Sequence, residues 1–396
     1  MEKLKVLQIN ESYNEGGGEE RYFFDLIEAL KEQKHDIYSF GFANKEIKKN
    51  EILVLKDSNS AIIKNLKRFL FDFNTYFKLR AWIKKIKPDI IHIHGNNKST
   101  LSVLLACRKN KVIHTVHNYG LLCPTIWCVK KDNLKPCNGG MGLKCYKHRC
   151  FPTHYLLAFH IHFLVRNYLI KKIVSAFIAP TKNLKKHLIK HMFGPVYQNY
   201  LFIDIKGMRS EKRKKNKDIL FVGRLDREKG VSFLIRSLTL MKNKEFKLTI
   251  IGDGPQKKYL MGLVKKLDLK NNVEFLGKIP FNKVREYYGR SKLLVVPSIY
   301  MEQFGLVGPE AMINYLPVVA SNRGGIPEWC EDEKTGILID PTDIKQIARA
   351  MQRILLDQKL AKKFGAAGEK KAKTFNKERH LNEMIKIYNE VIGERQ

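Results

Sequence analysis

The chain has 396 residues, 44% hydrophobic and 28% charged, so it is long enough for two ordinary domains and too apolar to be disordered. Lysine and arginine total 73 against 39 acidic residues, a net charge of +34. That balance fits nucleic-acid binding, an anionic membrane surface, or a lysine-rich composition without a specific partner. No zinc-finger, helix-turn-helix or RNP pattern supports the first, and no apolar run reaches the roughly 18–20 residues of a membrane span.

The opening Met1-Glu-Lys-Leu-Lys-Val-Leu-Gln-Ile-Asn10 reads as a strand and not as a signal peptide, which predicts a cytoplasmic protein. Gly16, Gly17 and Gly18 follow, then a helical pattern through Phe23, Leu26, Ile27 and Leu30. Strand, glycine loop and helix in that order put free amides at a helix start, although a flexible turn has the same composition. Residues 61–86 carry two amphipathic segments, with Phe69, Phe71, Phe73, Tyr76, Phe77 and Trp82 among Lys64, Lys67, Arg68, Lys78, Arg80, Lys84 and Lys85.

The strand Asp89-Ile-Ile-His92-Ile-His94-Gly95 and the next, Val112-Ile-His114-Thr-Val-His117-Asn118, separated by a helix from Ser99 to Cys107, continue a βαβ alternation. A parallel sheet follows, with function expected at the strand C-termini. His92, His94 and His117 sit at or near such ends. Each has a structural reading as a satisfied core histidine, and His117, closing a strand before a long loop, is the best functional candidate. That loop, residues 119–153, holds Cys123, Cys128, Cys137, Cys145 and Cys150, five of the seven cysteines. An odd count without a leader argues against a disulfide framework. Their density suggests a structural zinc, while the lack of a Cys-x2-Cys knuckle favours a reduced, cysteine-rich insertion.

After a helix over 154–172 and the strand Ala176-Phe-Ile-Ala-Pro180-Thr181, residues 206–217 are polar and basic and read as a linker. A second βα series begins at Asp218, with Gly223-Arg224, Gly252-Asp-Gly254-Pro, Val273-Glu-Phe-Leu-Gly277 and Gly324-Gly325-Ile-Pro-Glu328 at its turns. The stretch from Pro297 to Met312 is the most informative. It is a strand end, a turn with Gly305 and Gly308, and a helix start at Pro309, flanked by Glu302 and Glu310. The first-turn amides make a seat for an anion, and the two carboxylates could accept from hydroxyls around it. Anion plus many hydroxyls describes a nucleotide sugar; the plainer reading is an acidic loop and a capped helix.

Taken in order, Gly223-Arg224-Leu…Lys229-Gly230, Ile251-Gly252-Asp253-Gly254-Pro255, Val273-Glu-Phe-Leu-Gly277, Pro297-Ser298, Glu302-x7-Glu310 and Gly324-Gly325-Ile-Pro-Glu328 resemble the family 4 glycosyltransferases. The likeness extends to the Gly16–Gly18 loop and to the strand ending in His117, and so covers nearly the whole chain. It implies an α/β protein of the GT-B fold, two Rossmann-like domains facing across a cleft. The acceptor-binding domain would be 1–205, with its cysteine-rich insertion at 119–153. After the linker 206–217 would come the donor-binding domain, 218–375, then a C-terminal helix, 376–396, packing back towards the first domain.

The resemblance also implies a nucleotide-sugar donor, a UDP- or GDP-sugar, and retention of anomeric configuration. No Asp-x-Asp triplet occurs to hold a catalytic metal, so Arg224 and Lys229 would meet the charge that builds on the departing diphosphate. The Gly16, Gly17, Gly18 loop and the amides of Phe304, Gly305, Leu306 and Val307 would complete the phosphate cradle. Glu310 would take the ribose hydroxyls, since one carboxylate accepts from two O–H donors. Glu302 would face the donor sugar, His117 would lie beside it, and Gly277, Lys278 and Ile279 would line the base. Gly223, Gly252 and Gly254 belong to the same donor loops. Two features depart from the family pattern: Asn118 follows His117 where Asp is common, and the domain-closing Asn-Gly-x-Asp is replaced by Asn199-Tyr-Leu-Phe-Ile-Asp204.

The expected acceptor is a lipid-linked saccharide or glycolipid at an anionic membrane surface, with peripheral attachment through 61–86 and no nucleic-acid partner. A sugar-nucleotide epimerase of the same fold and a basic nucleic-acid-binding protein are the alternatives.

Overall fold

The computed structural model describes residues 3–14, 17–57, 71–95, 100–150, 156–208, 217–242 and 245–393. Gly16, Lys64, Lys67, Arg68 and Phe69 lie outside the described residues, as do 209–216 of the linker read at 206–217, whose described ends fall in the short helix Ile205–Met208 and the strand Lys217–Val222. The chain forms two compact units. One comprises Met1–Ile126, Asn138–Leu201 and Glu378–Gln396; the other comprises Trp127–Cys137 and Phe202–Lys377. The loop expected to belong wholly to the first domain is thus divided, residues 127–137 packing with the second unit.

The first unit holds an eight-stranded sheet in the order β3-β4-β2-β1-β5-β6-β7-β8. Its strands are β1 (Lys5–Ile9), β2 (Asp36–Ala43), β3 (Ile47–Lys48), β4 (Ile52–Lys56), β5 (Ile90–Ile93), β6 (Val112–Thr115), β7 (Ala176–Ala179) and β8 (Val196–Gln198). All neighbours are parallel except the short β3, which runs antiparallel to β4. Every residue of β5, β6 and β7 is buried, the pattern of strands covered on both faces. The helix Gly18–Glu32 buries Tyr22, Phe23, Leu26, Ile27 and Leu30, one stripe at helical spacing, and so lies against the sheet. The order reverses between β1 and β5, which makes their C-terminal ends the place for a ligand.

The crossovers from β4 through to β8 all step in one direction, so right-handedness puts their helices on one face. The helices Phe73–Ile86, Thr100–Cys107 and Leu156–Ile173 pack there side by side. Asp72 starts the first of them by accepting from the Thr75 amide, an N-cap worth about 1 kcal/mol.

The second unit is a six-stranded, wholly parallel sheet in the order β11-β10-β9-β12-β13-β14. Its strands are β9 (Lys217–Val222), β10 (Leu248–Ile251), β11 (Val273–Gly277), β12 (Ser291–Val296), β13 (Val318–Ser321) and β14 (Gly336–Ile339). One face is closed by the helices Val231–Leu238 and Ile344–Leu356, whose buried Leu234, Ile235, Ile347 and Met351 join Ile219, Phe221, Leu248 and Ile250 in the core. Here the order reverses between β9 and β12. The loops carrying Arg224 and Lys229, and Glu302 and Glu310, leave from the C-terminal ends of those two strands.

The final helix, Lys377–Gly393, belongs to the first unit. His380 meets the Tyr22 hydroxyl at 2.9 Å, and Tyr388 meets Gln8 and His92 at 3.1 and 2.7 Å.

Candidate active site

At the reversal in the second unit, glycines let four loops crowd together. A Cβ on Gly230, at φ 70°, would fall 1.9 Å from the Pro297 carbonyl oxygen, and one on Gly252, at φ 141°, 1.8 Å from that of Gly223. Gly252 also donates to the Gly277 carbonyl at 2.8 Å, so Gly223, Gly252 and Gly277 lie together at the ends of β9, β10 and β11. Gly254 comes close to Leu225 in the same way. These glycines therefore pack loop on loop and bring backbone to the sheet edge.

The Pro297–Gly308 connection carries the densest chemistry. Glu302 is buried, and Lys229 Nζ lies 3.3 Å from each of its carboxylate oxygens. Tyr300 donates its hydroxyl to Glu302 Oε1 at 2.5 Å and accepts from Lys229 Nζ at 3.0 Å. Burial, then Glu302 and Glu228, push the Tyr300 hydroxyl well above its usual range, with Arg224 opposing. It is a neutral phenol. Lys229 and Glu302, assigned separately from the sequence, are thus one paired unit with Tyr300 as the shared third member. Gly324 and Gly325 buttress it from behind: Gly325 donates to the Glu302 carbonyl at 2.7 Å, and a Cβ on Gly324 would fall 2.1 Å from that oxygen. Arg224 is exposed and pairs with the mostly buried Asp226 at 2.9 Å.

Glu310 is also buried, with Oε2 accepting from the Tyr288 hydroxyl at 2.9 Å. It lies in the six-residue helix Val307–Met312, whose N-cap Leu306 supplies no side-chain cap and whose Gly308 amide donates to the Gly305 carbonyl at 3.0 Å. Phe304 is a packing residue. Its ring sits edge-on to Phe375 at 5.1 Å, and its carbonyl accepts from the Trp329 indole. Gly308 is fixed by the same tryptophan, because a Cβ there would fall 2.3 Å from the ring. Lys278 is exposed and Ile279 half-buried, just past the end of β11.

The first unit gathers its histidines at the C-terminal ends of β5 and β6. His94 Nδ1 lies 3.2 Å from His117 Nε2, and His94 Nε2 lies 2.7 Å from Gln8 Oε1. His92 bridges Tyr388 and Thr115 at 2.7 Å each, and His114 bonds the His94 carbonyl at 3.1 Å. Burial, followed by His114 and His380, pushes His117 down to about 3. Both ring nitrogens of His92 and of His94 are thus engaged within the unit, and His94 contacts His117 directly.

The glycine loop differs from expectation. The Gly17 amide donates to Glu20 Oε2 at 2.8 Å, so a carboxylate already occupies one of the donors assigned to phosphate. Glu19, beside Gly95 and Asn10, has its carboxyl pushed well above the usual range by burial and then by Glu11 and Glu20.

The zinc expectation is corrected. No group of three His, Cys, Asp or Glu side chains among the described residues could hold a metal ion. The cysteines terminate separate turns: Cys137 donates its amide to the Cys128 carbonyl in one, and Cys150 to the Cys145 carbonyl in another. The first turn belongs to the second unit, and Cys123, Cys145 and Cys150 belong to the first. The Cys128–Cys137 turn has another contact instead: the neighbouring Trp127 carbonyl accepts from the Met301 amide at 3.0 Å, next to Glu302.

Comparison with known proteins decides what these two units are. The profile described as Glycosyltransferase Family 4 matches residues 16–205, and that described as Glycosyl transferases group 1 matches 204–371. The chain belongs to the family 4 glycosyltransferases. An uncharacterised glycosyltransferase of Methanocaldococcus jannaschii is 38% identical over 142 residues, spanning 36% of this chain and 36% of that one. An uncharacterised 41.2 kDa protein in the cps region of Klebsiella pneumoniae is 27% identical over 77% of this chain and 80% of its own. The structure of Anabaena HepE in complex with UDP and glucose superposes with a TM-score of 0.72 at 18% identity, covering 97% of this chain and 99% of that one. The fold is accordingly GT-B.

Within that family frame, Tyr300, Tyr288, Trp329 and Glu19 had escaped the sequence reading. The signal for Tyr300 was its place two residues before Glu302 in an extended segment, where alternate side chains share a side. Tyr288 offered none, since it arrives from the helix Phe281–Arg290 across the sheet edge.

Proposed function

We propose that this family 4 chain is a retaining, metal-independent glycosyltransferase that moves a sugar from a UDP- or GDP-sugar to a lipid-linked saccharide or glycolipid during surface polysaccharide synthesis. The observation that carries it is the part-buried Lys229–Glu302–Tyr300 cluster at the β9/β12 reversal, in the same loop system as Glu310. A nucleotide sugar supplies the partners this cluster can exchange for its own. Sugar hydroxyls donate to Glu302, and a diphosphate oxygen accepts from Lys229. As the glycosidic bond breaks, charge grows on that oxygen, and a cation already in place stabilises it without reorganisation. The exposed Arg224 adds a second positive charge from the same turn. The departing phosphate oxygen then takes the proton of the attacking hydroxyl on the same face.

A nucleotide and sugar bound in HepE, and the cps-region origin of the Klebsiella relative, support the donor and pathway classes. Attachment to an anionic membrane on the cytoplasmic side is part of the proposal. No described helix is long and apolar enough to cross a membrane. The support for attachment is the first unit's helical face, where Leu156–Ile173 exposes Ile161, Leu164, Val165 and Tyr168 at helical spacing. That helix, Phe73–Ile86 and Lys182–Lys190 contain no acidic residue. Phe73 and Phe77 are exposed as well, with their rings stacked at 6.5 Å. Basic residues near an anionic surface contribute about 1 kcal/mol each.

The test of the reaction is proton NMR of the product's anomeric centre. Retention gives the configuration of the donor; the opposite configuration overturns the retaining assignment and turns attention to Glu19 as a base.

A further inference from the structure

We propose that Gln8, acting through His94, fixes the tautomer of His117 so that His117 meets its ligand as a hydrogen-bond acceptor at Nδ1. The ligand part rests on the reading of His117 as the residue beside the transferred sugar; the relay does not.

The relay runs outward from the centre of the sheet. Gln8 is fully buried on β1 between Leu7 and Ile9, where an apolar side chain would pack without any polar group to satisfy. Its Nε2 donates to the Tyr388 hydroxyl at 3.1 Å, which leaves Oε1 facing His94 Nε2 at 2.7 Å. An amide oxygen only accepts, so His94 Nε2 carries the proton. His94 is fully enclosed, and burial, then His92 and His117, hold it neutral, so its Nδ1 is a lone pair. His117 Nε2, at 3.2 Å from that Nδ1, must therefore be the donor. Burial also keeps His117 neutral, and its one remaining nitrogen, Nδ1, carries a lone pair and makes no hydrogen bond to a described residue.

Tyr22 closes the other side of the pair. Its ring stands 5.2 Å from His117 and 5.8 Å from His94, and its hydroxyl is engaged with His380 at 2.9 Å. The tautomer is thus set by a chain of three groups, Gln8, His94 and His117, with Tyr388 of the final helix orienting the first. The consequence is chemical selectivity. A lone pair welcomes an O–H and repels an unprotonated phosphate oxygen, so His117 recognises a sugar hydroxyl and not the diphosphate. Gln8 and His94 are positioning residues for it.

The experiment is long-range proton–nitrogen correlation NMR on the full chain labelled with ring-15N histidine, with His117 assigned by loss of its signals in His117→Asn. The native protein at neutral pH should show both His94 and His117 protonated at Nε2. Gln8→Met removes the acceptor; both rings should then populate the Nδ1–H form. Turnover should fall about tenfold with the donor KM little changed, the scale of one hydrogen bond made in the transition state. Native His117 found as the Nδ1–H tautomer or as imidazolium overturns the relay, and needs no variant to fold. So does Gln8→Met with an unaltered tautomer. A changed tautomer with undiminished transfer would leave the relay standing and remove His117 from the sugar.

Discussion

Lys229 and Glu302 face each other with Nζ 3.3 Å from both carboxylate oxygens, one partner from the β9 loop and the other from the β12 loop. The two loops are thus tied by the groups assigned to the donor. Lys229→Ala should lower turnover by about 10²-fold, the loss of one preorganised donor. It should also lower the melting temperature, because Glu302 is left buried without its cation. Arg224→Ala should lower turnover by about 10²-fold as well, with the melting temperature nearly unchanged, since its exposed pair contributes roughly 0–1 kcal/mol. Steady-state kinetics and thermal unfolding of the two variants check this; activity that vanishes in EDTA and returns with Mn²⁺ or Mg²⁺ would replace the lysine–arginine mechanism with a metal.

Tyr288 donates to Glu310 and so holds the carboxylate assigned to the ribose. Tyr288→Phe should weaken nucleotide binding by roughly fivefold, one net hydrogen bond, with turnover at saturating donor preserved. Calorimetric titration measures it. An unchanged affinity would mean that Glu310 is positioned by its helix alone.

The buried histidines set a pH dependence for stability. His114 is pushed down to about 4, His117 to about 3 and His380 to about 4, each chiefly by burial, from an ordinary 6.5. Between those values the unfolded chain binds protons that the folded chain refuses, so stability is full above about 6.5 and is lost as pH falls towards 4 and then 3. The slope is up to about 1.4 kcal/mol per pH unit for each histidine. Denaturant melts at pH 7, 6, 5 and 4 should show a steady fall, and a flat profile would mean that these rings are hydrated and titrate normally.

The exposed stripe of Ile161, Leu164, Val165 and Tyr168 predicts flotation with anionic liposomes and poor flotation with neutral ones. Leu164→Ser with Val165→Ser should reduce recovery, and added salt should weaken the electrostatic part as the Debye length shrinks. Equal recovery on both liposome types would show that this face does not dock on lipid.

The alternation of apolar strands and amphipathic helices made both sheets legible, because β5, β6, β7 and β12 are short, mainly apolar runs of strand length between turn residues. The glycines and carboxylates of the second unit were legible too, since Gly230, Gly252 and Gly324 occupy backbone conformations that few other residues adopt. What could not be read was pairing across long separations. Nothing local joins Lys229 to Glu302, Tyr288 to Glu310, or Gln8 to Tyr388 at the far end of the chain. The cysteine cluster was equally opaque: sequence density gave no sign that Cys128 and Cys137 would fold with one unit and Cys123 with the other.

Calorimetric titration of UDP, GDP and ADP into the full chain in EDTA tests most directly whether Lys229, Arg224 and Glu310 hold a nucleoside diphosphate without a metal. Micromolar binding of UDP or GDP is expected, weakened in Glu310→Gln and in Lys229→Ala. No binding of any of the three, or binding that appears only when Mn²⁺ or Mg²⁺ is restored, would contradict it.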